Sequence, residues 1–162
     1  MNPLAAFTRS GRKLIDVLPH GVQPRAWQAL EASHLALFRA SGRRLGTGFG
    51  GVRFLFLHHF GAKSGAERVT PLVYIKDGDR LVVIASKGGD RRNPAWYHNL
   101  KAHPDVRVEL RGDVRPVQAR VAAGEERERL WKKAAAVWPD YERYQQRVPD
   151  RQIPVVVLEP RG

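Results

Sequence analysis

Cysteine is absent from this chain of 162 residues. That excludes disulfides, thiolate nucleophiles and cysteine-ligated zinc or iron–sulfur centres. No apolar run approaches the roughly 20 residues that span a bilayer. Arg9, Arg12 and Lys13 interrupt the apolar residues that a signal-peptide core would need. A cytoplasmic protein is expected. The six histidines form no HExxH pair and no cluster. His58 and His59, adjacent in a strand, point to opposite faces, so no metal site is expected. A glycine fingerprint in a strand–helix–strand unit is also missing, which argues against a Rossmann domain. Acidic residues are scarce, 16 against 28 basic ones, for a net charge of +12.

The basic excess is uneven. Residues 1–53 carry 8 basic and 2 acidic side chains, residues 54–121 carry 12 and 7, and residues 122–162 carry 8 and 7. The charge therefore gathers on the N-terminal arm and in the centre of the chain, where it attracts anions: nucleic acid, an acidic membrane surface or a polyanionic small molecule.

The first fifty residues read as helical. Leu4–Leu18 is basic and mildly amphipathic, Pro19–Gly21 breaks it, and Trp27, Leu30, His34 and Leu37 recur at helical spacing. Ser41–Gly51, rich in glycine and arginine, reads as a linker. We place an N-terminal helical arm at 1–45 and one compact domain at 46–162. That domain alternates strand-like runs with turns: 52–58, then 69–76 and 80–86 flanking Asp77-Gly78-Asp79. After these come 106–110 and 114–121 flanking Arg111-Gly112-Asp113, and a late strand at 153–158. Asn93 as N-cap and Pro94 at the first helical position open a helix that continues to about Ala102. A second helix covers about Glu125–Val137, and Tyr141–Arg147 adds a turn or two. Five or six mostly antiparallel strands with flanking helices predict an α+β protein built on a small barrel.

Two small-residue loops carry lysines. The first is Gly61-Ala62-Lys63-Ser64-Gly65, followed by Arg68; the second runs from Ser86-Lys87-Gly88-Gly89 to Asn93-Pro94. Such loops expose backbone N–H groups, and a helix start adds more, so each suits a phosphate or carboxylate. Neither has the spacing of a P-loop.

Together these segments resemble the deazaflavin-dependent nitroreductase family. The resemblance rests on Gly61-x-Lys63-Ser64-Gly65, Arg68-x-Thr70-Pro71-Leu72, Ala85-Ser86-Lys87-Gly88-Gly89 and Asn93-Pro94-Ala95-Trp96-Tyr97-x-Asn99-Leu100. It continues through Pro104-Asp105-Val106, Trp131, Pro139-x-Tyr141-x-x-Tyr144, Arg151 and Ile153–Val157, and so covers roughly residues 40–160. It implies a split β-barrel of the flavin type and reduced coenzyme F420, an 8-hydroxy-5-deazaflavin, as hydride donor to a small electron-poor acceptor such as a quinone, activated alkene or nitro compound. By that resemblance Lys63, Ser64, Gly65 and Arg68 hold the coenzyme's phosphate and the start of its glutamyl tail, and Thr70 and Pro71 lie beside the ring or its side chain. Ala85, Ser86, Lys87 and Gly88 line the deazaflavin edge, while Asn93, Pro94, Ala95 and Trp96 close its other side. Ser86, Tyr141 and Tyr144 are the candidates for orienting the acceptor or relaying a proton. Three departures stand out: Ala62 where the family usually has arginine, Trp138 where relatives often carry tyrosine, and His58-His59 in place of small polar residues.

The alternatives are an FMN-binding split-barrel reductase and a basic nucleic-acid module using Arg91, Arg92 and Arg107 beside aromatic residues. No recognised nucleic-acid motif is present, so no nucleic-acid partner is expected. The N-terminal arm is expected to pack on its own barrel or a second subunit, as in a homodimer, with peripheral contact to an anionic membrane as the alternative.

Overall fold

The computed structural model describes residues 52–162 without a break, the strand Gly48–Phe49, and Ala29, Ser33, Ala36, Leu37 and Ala40 before it. Those five are helical, and Ser33 Oγ donates to the Ala29 carbonyl at 2.8 Å. The remainder of the expected arm, its boundary with the domain and its membrane contact lie outside the described residues.

Seven strands form one antiparallel sheet: β1 Gly48–Phe49, β2 Val52–Phe60, β3 Glu67–Asp77, β4 Arg80–Ile84, β5 Asp105–Leu110, β6 Asp113–Val121 and β7 Val155–Pro160. The order is β1-β2-β3-β4-β7-β6-β5. β2 also pairs with β5, Leu57 opposite Val108, so the six strands from β2 onward close into a barrel. Three helices complete the described fold: α1 Ala95–Ala102, α2 Gly124–Val137 and α3 Asp140–Arg147.

The strands follow from period-two patterning. In β2, Leu55, Leu57 and His59 alternate with Phe54, Phe56 and His58. Leu55 and Leu57 join Leu81, Val83, Val106, Val108, Val156 and Leu158 in the barrel interior. α1 stoppers that interior with Trp96 and Leu100. β4 and β7 are apolar on both faces because their outer face is also covered. Val82, Ile84, Val155 and Val157 pack there against Leu130, Trp131 and Ala134 of α2 and Tyr141 of α3. Arg127, Leu130, Trp131 and Ala134 recur at i, i+3, i+4 and i+7, which puts them on one face of α2. Burying one large apolar side chain contributes about 2 kcal/mol, so the two cores together outweigh any single polar contact.

Several boundaries differ from the sequence reading. β1 lies inside the expected linker, where Gly48 and Phe49 pair with Arg53 and Val52. β4 ends at Ile84 because Ala85 leaves the ladder and bonds to the Pro154 carbonyl. The late strand starts at Val155 rather than 153, since Ile153 is engaged by Gln145 and Pro154 offers no N–H. The Arg111-Gly112 turn has positive φ at both residues, 53° and 87°, the signature of a type I′ hairpin. Among the described residues no helix is long and apolar enough to cross a membrane.

Candidate functional site

β3 is eleven residues long, but its register with β4 covers only Tyr74–Asp77. Its first seven residues, Glu67–Val73, pair with β2 on one side and extend past the end of β4 on the other. This overhang places Arg68, Thr70 and Pro71 along an edge between the two loops. The first loop is the β2–β3 connection, and the second leaves the end of β4.

The first loop is a tight turn. Gly65 N–H donates to the Gly61 carbonyl at 2.8 Å, and Gly61 N–H to Ala66 at 2.9 Å. Ser64 Oγ turns back into the loop and accepts from Ala66 N–H at 3.3 Å. Lys63 and Arg68 are exposed, and neither has a carboxylate partner among the described residues. Arg107, beside them on β5, is paired with Glu67 at 2.8 Å.

The second loop is wound left-handed: Lys87, Gly88 and Gly89 have φ of 49°, 62° and 79°. Three successive residues in this region are unusual, and only glycine adopts it without strain. Gly89 also has no room for a side chain, since a Cβ there would stand 3.1 Å from the Tyr144 backbone. Lys87 forms an ion pair with Asp90 at 3.4 Å. The Arg92 N–H that Asp90 accepts holds its carboxyl below the usual range, with Lys87 adding to the effect.

Arg151 holds the loop from the other side. Its Nε donates to Asn93 Oδ1 at 2.8 Å, one Nη to the Ala85 carbonyl at 2.6 Å, and the other to the Asp90 carbonyl. This corrects the expected cap of α1. Asn93 does not cap it; the N-cap is Pro94, in extended conformation, and the Asn93 side chain serves Arg151 instead.

The two loops are joined. Ala62 N–H in the first donates to Asn99 Oδ1 on α1, the helix that follows the second, at 2.9 Å. Asn99 Nδ2 lies 3.1 Å from His59 Nδ1, and His59 Nε2 lies 3.0 Å from Thr70 Oγ1. His59 is only 2% exposed. Burial, with Arg68 and then His58 adding repulsion, lowers its pKa to about 4, so it is neutral at physiological pH. His58, on the opposite face as expected, bonds Glu109 at 3.0 Å.

Other sequence candidates fall differently. Trp96 is 6% exposed and fills the barrel interior. Tyr141, also 6% exposed, packs its ring against Trp131 at 6.2 Å, and burial drives its phenol pKa up. Tyr144 is half-buried beside the second loop, with its pKa also raised by burial. The Trp138 indole hydrogen-bonds with it. Ser86 and Ala85 are buried at the loop entrance. Two concavities of the described surface lie elsewhere, beside Tyr97 and Ala119 and beside Trp131 and Gln145. Among the described residues no group of three or more His, Asp or Glu is placed to hold a metal. His59 and Arg151 were not singled out as site residues by sequence; a histidine in a strand and an arginine before a strand carry no spacing signal.

The profile of a family described as F420H(2)-dependent quinone reductase matches residues 31–160. The chain belongs to that family. It is 41% identical over 132 residues to F420H(2)-dependent quinone reductase Rv1261c of Mycobacterium tuberculosis, covering 79% of this chain and 88% of that one. A second protein of the same organism, Rv3178, named as a candidate quinone reductase of this type, is 43% identical over 119 residues, 73% of this chain and 99% of its own. A solved F420-H2 dependent reductase, FDR-A, superposes with a TM-score of 0.61 at 42% identity, over 65% of this chain and 93% of its own. A second solved structure, described as a domain-swapped dimer, gives 0.64 at 36% identity, over 85% of this chain and 100% of its own. The closed antiparallel barrel of this family member is thus the split barrel expected from its sequence.

Proposed function

We propose that this chain binds reduced coenzyme F420 along the overhanging edge of β3 and uses it to reduce a small quinone-type acceptor. The observation that carries the assignment is the pairing of that edge with two flanking basic loops tied together through Ala62 and Asn99. The donor set fits the group. Lys63 and Arg68 are exposed cations without carboxylate partners among the described residues, suited to a phosphate and an acidic tail. The left-handed Lys87–Gly89 run brings backbone close to whatever lies on the edge, as a flat ring system needs.

When bound, the coenzyme supplies the hydride; the protein supplies position, dryness and a proton. Lys63 and Arg68 hold the anionic end, while Thr70 and Pro71 lie along the ring or its side chain. Ala85–Gly88 shape the opposite edge, with Asn93 and Pro94 fixed behind them by Arg151. Tyr144 is the candidate that donates a proton to the reduced acceptor, because burial keeps its phenol protonated. Tyr141 supports it through an edge-on ring contact at 6.3 Å. A homodimer is the proposed assembly, supported by the relative described as a domain-swapped dimer.

Paired fluorescence titrations with oxidised coenzyme F420 and with FMN test the reading. Saturable binding of the deazaflavin alone is expected, weakened roughly tenfold by Lys63→Ala or Arg68→Ala. Binding of FMN alone would move the chain to the flavin branch of the fold.

A further inference from the structure

A backbone N–H can only donate. Ala62 N–H therefore fixes Asn99 with Oδ1 toward it, because the flipped amide would set two donors against each other. Asn99 Nδ2 must then donate to His59 Nδ1, which leaves that nitrogen without a proton. Neutral His59 carries its proton on Nε2 and donates it to Thr70 Oγ1. Every step follows from the one before it, and the chain ends on a hydroxyl whose own proton has no protein acceptor among the described residues. Thr70 is half-buried on the stretch of β3 that extends past β4.

We propose that His59, its tautomer fixed by Asn99, is a positioning residue that holds Thr70 as a hydrogen-bond donor toward an acceptor oxygen of the bound coenzyme. The inference rests on the coenzyme assignment above and adds a direction to one of its contacts. A threonine hydroxyl normally rotates freely and serves donor or acceptor ligands alike. Here one lone pair is occupied from inside the barrel, so the outward role favours a carbonyl or phosphate oxygen over an N–H group. The relay also gives His59, a departure from the family pattern, a specific task. The charged and titratable groups that bear on it are Arg68 and His58, and both disfavour a second proton on its ring.

The test combines two measurements. Nitrogen-15 NMR of the imidazoles in the coenzyme-free protein should show His59 as the Nε2–H tautomer at pH 7. In fluorescence titrations with oxidised coenzyme F420, Thr70→Val should weaken binding roughly tenfold and Thr70→Ser should restore most of it. His59→Leu should weaken binding about threefold, and the double variant His59→Leu/Thr70→Val should bind no worse than Thr70→Val alone. Thermal melts confirm that each variant folds, and a His59→Leu that fails to fold leaves the tautomer and the Thr70 series as the deciding data. An Nδ1–H tautomer, wild-type binding by Thr70→Val, or losses that multiply in the double variant would each overturn the inference while leaving the coenzyme assignment intact. Failure of the wild-type protein to bind the deazaflavin overturns both.

Discussion

Arg151 Nε stands 2.8 Å from Asn93 Oδ1, and that contact ties the approach to the last strand to the loop that follows β4. The same guanidinium accepts no bond and donates to the Ala85 and Asp90 carbonyls, so one side chain satisfies three points of a turn that has little regular structure. Arg151→Met should cost about 2 kcal/mol in urea unfolding. Hydrogen exchange of the amides from Lys87 to Arg92 should rise more than that of the barrel strands, and coenzyme binding should weaken with it. Protection unchanged in this loop would show that the turn holds its shape without Arg151.

Gly89 and Gly88 share a backbone region but not a neighbourhood. A Cβ at Gly89 meets the Tyr144 backbone at 3.1 Å, whereas one at Gly88 meets nothing within 4 Å. Gly88→Ala should therefore cost about 1 kcal/mol, the left-handed penalty alone. Gly89→Ala should cost more and displace α3, visible as a changed near-ultraviolet signal from Tyr144 and Trp138. Equal melting temperatures for the two variants would refute the close approach.

The fold class was readable because its signals are local and repeated. An apolar, aromatic run of strand length marked β2, turn residues marked two hairpins, and acidic residues at its start marked α2. The barrel was expected from its antiparallel strands, but which strands close it was not readable, because Leu57 and Val108 of the β2–β5 pair lie far apart in sequence. The site divided in the same way. Lys63, Arg68 and the glycines stood out as candidates because loop composition reports backbone exposure. Asn93 was misread as a cap because nothing near it in sequence announces Arg151, which arrives from 58 residues away. The burial of Trp96 and Tyr141 was not legible, because an aromatic on a motif gives no sign of which face of its helix is buried.

His59 makes stability depend on acidity. Its folded pKa of about 4 lies below the 6.5 of the free side chain, so the unfolded chain takes up a proton first. The folded state is therefore at full advantage above pH 6.5 and loses about 3 kcal/mol as pH falls through 4. Asp77, and Glu126 at about 2 through its Arg120 pairing, add a further loss below about pH 4. Urea midpoints measured from pH 7 to 4.5 should fall steeply for the wild type and much less for His59→Leu. Parallel curves would place the acid sensitivity elsewhere.

Asp77 anchors α2 to the β3–β4 turn. Arg129 grips it with two bonds, at 2.7 and 3.0 Å, Arg80 approaches at 2.5 Å and Lys133 at 3.2 Å. Asp77→Asn leaves three cations around a neutral amide and should cost about 3 kcal/mol. Coenzyme binding should stay unchanged, since the turn lies at the end of β3 opposite to Arg68. A matching loss of affinity would mean that the two ends of the barrel are mechanically coupled.

The barrel interior and the layer between β4, β7 and the two C-terminal helices are separate apolar bodies, sharing a sheet but no side chains. The proposed coenzyme contacts belong to the mouth of the first, and Tyr144 borders the second. On the proposed site, substitutions at Trp138, Tyr141 and Tyr144 would alter the acceptor side and leave the proposed coenzyme seat undisturbed. A lineage can diversify what it reduces while keeping one electron donor, and Gly89, set against the Tyr144 backbone, is a point at which such drift is constrained.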